Sequence, residues 1–124
     1  MTQEEFITAL KIQTSDASVK GILAQLLKPA GRSPSSKLVQ LSHWYNSQDQ
    51  SAKLMIQACM LDAAQLAVYC FLGLLDGTSP IENGAIKGTL DLIHQNNGDS
   101  ILLNDPKSPP LQDLYNYCCQ QTEF

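Results

Sequence analysis

The chain has 124 residues, 44% of them hydrophobic and 16% charged, with a net charge of −4. That is the size of one domain with enough apolar side chains for a core of its own, so neither disulfides nor a structural metal is needed to hold it together. Charge is unevenly placed: residues 1–57 hold six Lys/Arg and four Asp/Glu, and residues 58–124 hold two and eight. The acidic second half argues against a nucleic-acid ligand, whose phosphates call for clustered cations, and suits a protein partner with a basic surface.

Thr2 and Glu5 stand at capping-box spacing and open a first helix carrying Phe6, Ile7 and Leu10. The run "SDAS" marks a break. A second helix follows with Val19, Ile22, Leu23, Leu26 and Leu27 at helical spacing, and Pro29 ends it. Ser33 and Pro34 read as N-cap and first position of a third helix, whose Leu38, Leu41 and Tyr45 share a face. Ser47 and Gln50 repeat the capping-box spacing before a long fourth helix over about 49–76.

From Ala58 to Leu75 the fourth helix has only Asp62 and Gln65 as polar residues. Such a run approaches a membrane span, but a charge near its centre is costly in lipid and no Lys or Arg follows its end. A helix apolar on nearly every side reads instead as the buried central post of a bundle. On that reading Asp62 is buried among polar partners, and Cys59 and Cys70 are inert interior thiols. Gly77 supplies the left-handed C-cap. Asp76, facing the negative end of its own helix dipole, is expected to act as a latch on backbone N–H groups of residues 77–84 or on Lys87.

Beyond the loop, "GTLDLIHQ" and "SILL" flank Asn97-Gly98, a type I′ hairpin signal. With those two residues in the turn, Asn96 opposes Asp99, His94 opposes Ile101, Ile93 opposes Leu102 and Leu92 opposes Leu103. Asn104, Asp105 and Pro106 turn the chain. Ser108-Pro109 then caps a closing helix with Leu111, Leu114, Tyr115 and Cys118 on one face.

The search for chemistry narrows quickly. His43 and His94 lack Cys or acidic partners at ligand spacing, so no metal site is expected, and no cofactor motif is present. Asp62 and Asp76 lie fourteen residues apart on one helix, about 20 Å, too far for a paired-carboxylate mechanism. Cys59 and Cys70 lie eleven apart, about 16 Å, beyond disulfide reach. With no charged-plus-apolar leader, reduced thiols in a cytoplasmic protein are expected. Trp44 and Tyr45 form a candidate interaction patch, because such residues are enriched at binding hot spots.

In order and spacing, "AVYCFLGLLDG", "GTLDLIH", "LLNDP" and "LQDLYNY" resemble a set of small bacterial proteins of unknown function. The likeness spans about residues 60–117 and does not cover the N-terminal helices. It implies a shared fold and a bacterial cytoplasm, and it carries no activity.

The fold class expected is α+β and mainly helical. One domain over 1–124 comprises a bundle around a central buried helix (49–76), a C-terminal hairpin (88–95 and 99–104) and a closing helix (109–120). The function expected is a non-enzymatic protein-binding module, with an immunity or antitoxin-like role as its specialisation. The alternative is a small-molecule pocket between hairpin and central helix. Candidate binding residues are Trp44, Tyr45, Asp62, Tyr69 and Asp76; no catalytic residue, nucleic acid or membrane enters the reading.

Overall fold

A computed structural model describes residues 1–85 and 87–121. Helices α1 (Gln3–Lys11), α2 (Ala17–Leu27), α3 (Ser36–Asn46) and α4 (Gln50–Asp76) precede strands β1 (Ile93–Asn96) and β2 (Asp99–Leu102), and α5 (Leu111–Gln120) closes the chain. The architecture is α+β and mainly helical, as the periodicities indicate.

The Thr2 hydroxyl caps α1 by accepting from the Glu5 N–H at 3.1 Å. The expected break at "SDAS" is absent. One π-turn, Ile12–Asp16, joins α1 to α2 without interruption. The residues buried along this stretch, Ile7, Lys11, Ser15 and Val19, recur every four positions. In an α-helix each such step overshoots a turn by about 40°. The wider π-turn absorbs part of that drift and keeps all four pointing inward. Thr14 and Ser15, which seemed to break the helix, donate back to the carbonyls of Leu10 and Lys11.

Helix α3 packs beside α2 and satisfies its exposed end. Ser42 Oγ and Asn46 Nδ2 both donate to the Leu26 carbonyl, at 2.6 and 2.9 Å. The cap of α3 is Ser35 rather than Ser33, and that of α4 is Asp49 rather than Ser47; each accepts from the N–H three residues on. In both cases the local sequence offers several capping oxygens, and the one used is closest to the helix.

The hairpin register agrees with expectation at every pair from Ile93–Leu102 to Asn96–Asp99, and the Leu103 N–H continues the ladder to the Leu92 carbonyl. Asn97 and Gly98 adopt the positive φ that a type I′ turn demands, 51° and 85°. The paired strands are shorter than expected. Only Leu92 and Leu103 of the apolar set reach the interior, while Leu90 and Ile101 stay exposed.

The core gathers Ile7, Leu72, Leu111 and Tyr115, fringed by Phe6, Val68, Leu75 and Leu114. It lies at the C-terminal end of α4, and this corrects the expectation of a helix buried all round. Among the described residues of α4, only Leu72 and Gly73 are buried. Asp62, Cys59 and Cys70, expected inside, stand on its exposed side. A chain of this size assembles too little protein to enclose a 27-residue rod, about 40 Å long.

The joint at that end explains Asp76. Gly77, at φ 79°, ends α4 with the left-handed cap. The Asp76 carboxylate crosses to α5 and accepts from the N–H groups of Leu111 and Gln112, at 3.0 and 2.8 Å. It is a latch, as expected, but its partners are neither the following loop nor Lys87. Position 110, where a capping side chain would stand, is a proline, and Asp76 does the work expected of Ser108. Replacing Asp76 by Ala should lower unfolding free energy by about 1–3 kcal/mol, and Asp76→Asn by less. Urea denaturation checks this, and a variant within about 0.5 kcal/mol of wild type would show that the joint does not hold the fold.

Candidate functional site

The uncovered side of α4 follows directly from its sequence. Between Ala58 and Leu75 nearly every direction around the helix axis carries an apolar side chain, and the core takes only one edge. The rest face water in two adjacent rows. One row is Leu54, Ala58, Asp62, Leu66 and Cys70; the other is Met55, Cys59, Ala63, Ala67 and Phe71. The four large side chains are 53% (Leu54), 67% (Met55), 59% (Leu66) and 56% (Phe71) exposed. Together they present on the order of 400 Å² of continuous apolar surface, the size of the largest patch on a typical monomer before the smaller residues are counted. Asp62 is the only charge within it.

A groove borders these rows where α4 meets α5. Asp62, Gln65, Leu66 and Tyr69 line it from α4, and Tyr115, Asn116 and Cys119 from α5, around about 380 Å³. Its floor is a polar network inside the core. The Tyr115 hydroxyl donates to Ser15 Oγ at 2.8 Å, and Ser15 donates to the Lys11 carbonyl. The Lys11 ammonium, almost wholly buried, is neutralised by Asp16 at 2.8 Å. Burial pushes the Tyr115 hydroxyl up to about 12, against the opposing effect of its bond to Ser15. Burial likewise raises the Cys119 thiol, and that keeps it from acting as a nucleophile.

These bonds hold α1 to α5. Among the described residues, no three His, Cys, Asp or Glu side chains are placed to hold a metal ion.

The structure separates the residues singled out from sequence. Trp44 is 54% exposed on α3, whereas its neighbour Tyr45 is buried. The Tyr45 hydroxyl accepts from Gln57 Nε2 at 3.0 Å, and the Lys53 ammonium lies 5.5 Å from the ring centroid, so the pair is no single patch. Asp62 and Tyr69 do come together, but with α5 across the groove rather than with the hairpin. Asp76 lies outside the groove, about two turns beyond Tyr69, where Gln112 bonds both its carboxylate and the Tyr69 carbonyl.

A cleft of about 560 Å³ does lie between the end of α4 and the base of the hairpin. Two of its polar side chains are engaged, while Lys87, Thr89 and Asp91 also line it. Asp76 caps α5, and Asn104 accepts from the Leu92 N–H while donating to the carbonyls of Leu75 and Leu90. The exposed rows themselves escaped the sequence reading. Their apolar character was visible, but nothing in the chain said that no other element would cover them.

No protein-family model, curated protein or solved structure matches this chain. Geometry alone therefore carries the functional reading.

The network beneath the groove gives a direct test. A tyrosine held protonated beyond its usual pKa of about 10 contributes stability that is fully present below that pH. The contribution is lost as pH rises toward the folded value near 12. The absorbance titration of wild type minus Tyr115→Phe should show a component with its midpoint near 12, and wild type should lose stability from pH 10 upward by a step that Tyr115→Phe lacks. A difference component centred at 10 would mean that Tyr115 is solvated.

Proposed function

We propose that the chain is a non-enzymatic protein-binding module whose docking surface is the uncovered side of α4 with its bordering groove. One observation carries this: four large apolar side chains, each more than half exposed, stand on one side of a single helix with Asp62 as the only charge among them. A helix presented in this way offers Leu54 and Met55 at one end, Leu66 further along and Phe71 at the other end as anchors to a partner helix or groove. Gln65, Asn116 and Asp62 supply the polar margin that fixes orientation.

Masking of a basic protein, as an immunity or antitoxin protein does, is a specialisation of the same reading. It draws on the acidic second half of the chain and on Asp62 within the rows. A small-molecule role has less support, because two of the side chains lining the larger cleft, Asp76 and Asn104, already bond backbone groups.

The reading is checked by affinity capture from the source cell with three tagged chains: wild type, Leu66→Asp/Phe71→Asp, and Tyr117→Ser as a surface control on α5. Wild type and the control should retain the same stoichiometric partner, a second copy of the chain included, and the double variant should lose it. An identical set of bound proteins on all three overturns the docking face.

A further inference from the structure

We propose that the occupant of this face is a second copy of the chain, with α4 packed antiparallel on α4 about the Asp62–Ala63 step. The inference rests on the docking reading above and names its partner.

Area is the first argument. A folded monomer of 13.6 kDa exposes about 6,600 Å² by the usual scaling of surface with mass. This chain exposes 8816 Å². The excess, about 2,200 Å², is shared with the exposed segment 77–85 and 87–91. The large side chains of the α4 rows supply about half of the roughly 800 Å² per partner that a standard interface removes, before the small residues and the groove are counted. An exposed face so poor in charge fits a permanent homodimer better than a transient contact.

Shape is the second. Bulk stands at the ends of the exposed rows, in Leu54, Met55 and Phe71, and the middle holds small residues apart from Asp62 and Leu66. Both rows step by four, and ridges of that kind interdigitate at a crossing angle near −50°. Such a crossing confines close contact to the central turns, where small side chains let the axes approach, and lets the bulky ends diverge toward the partner's flanks. Reversal about the Asp62–Ala63 step sets Cys59 against Leu66 and Ala58 against Ala67, so the large central side chain meets a small one. A parallel pair would instead stack Leu66 on Leu66 and Ala63 on Ala63, leaving voids that packed interfaces avoid.

Charge supplies the discriminating sign. Near the two-fold axis Asp62 approaches its own copy, so the dimer forms against a local like-charge repulsion. A basic partner would be attracted to the same carboxylate.

Sedimentation equilibrium of the purified full-length chain tests the proposal. The expected result is twice the monomer mass at micromolar concentration. Leu66→Asp should weaken association about a hundredfold or more with its circular dichroism unchanged, and Asp62→Asn should tighten it about threefold. Mild oxidation of Leu66→Cys should give an intermolecular disulfide to Cys59 that Cys59→Ser abolishes; linkage that survives Cys59→Ser overturns the antiparallel register.

A chain that stays monomeric to about 1 mM, or weaker association in Asp62→Asn, overturns the second copy as occupant. So does co-sedimentation of the monomer with phosphatidylglycerol–phosphatidylcholine vesicles. If the purified chain is monomeric yet capture from cells still depends on Leu66 and Phe71, the docking face stands and only its occupant changes. If neither association nor capture depends on them, both readings fail together.

Discussion

The Asp76 carboxylate is the contact on which the architecture turns. As the last residue of α4 it opposes that helix's own dipole, a mildly unfavourable placement. As the acceptor for the first free N–H groups of α5 it lies at the positive end of another dipole, and the second effect adds two charge-assisted hydrogen bonds to the first. The same corner is tightened from other directions. Gln112 Nε2 donates to the Tyr69 carbonyl at 3.0 Å, and Thr78 Oγ1 donates to Gln112 Oε1 at 2.6 Å. Gly73 leaves room for that contact, since a β-carbon at its position would stand 2.5 Å from Gln112 Nε2 and displace the side chain. Asn104 then ties the Leu75 carbonyl to the base of the hairpin. Helix α4, helix α5 and the ribbon are thus joined at one point.

A long helix held at one end has a consequence for its other end. The buried cluster of Ile7, Leu72, Leu111 and Tyr115 forms around the joint. The preceding turns of α4 meet α2, the π-turn, α5 and Tyr45 of α3 but leave the rows from Leu54 to Phe71 uncovered. The interior near the π-turn is itself partly polar, because Lys11 and Ser15 fill positions that a purely apolar core would give to Leu or Ile. Lys11 with Asp16, and Ser15 with Tyr115, are fully paired, so they fix one arrangement of α1 on α5. Apolar side chains that such a core would otherwise draw inward remain on the surface of α4.

Features set by a few neighbouring residues were legible in the sequence. Asn97-Gly98 dictated the hairpin and its register because only those residues adopt positive φ at little cost. Thr2 and Gly77 ended their helices for equally local reasons. What depended on distant parts of the chain was not legible. "LLDG" and "LLNDP" stood out as segments, but their meeting through Asn104 and the Leu75 carbonyl is a long-range fact. Ser108 looked like a cap for α5, and an aspartate more than thirty positions earlier took that role. The π-turn was hidden because the four-residue spacing of Ile7, Lys11, Ser15 and Val19 includes two polar residues that no hydrophobic pattern counts. Of the candidate site, Asp62 was expected in a buried network and Tyr69 as a binding residue beside the hairpin, and both line a surface groove against α5.

An apolar residue in solvent is ordinary, so the weight given to α4 needs a comparison within the molecule. Leu41 and Trp44 on α3, and Ile22 and Leu27 on α2, are also about half exposed. These are interleaved with Lys20, Lys28 and Lys37, whose charges and long side chains break the surface into single spots. On α4 the large residues are separated only by alanines, cysteines and one aspartate over nearly five turns. Small neighbours do not shield them; they lower the surface and let another backbone come close. A helix meant only to face water would carry Lys, Glu or Gln at those positions, with no loss of helix propensity. Small and apolar residues there, on the element held at the Asp76 joint, set the uncovered side of α4 apart from the exposed faces of α2 and α3.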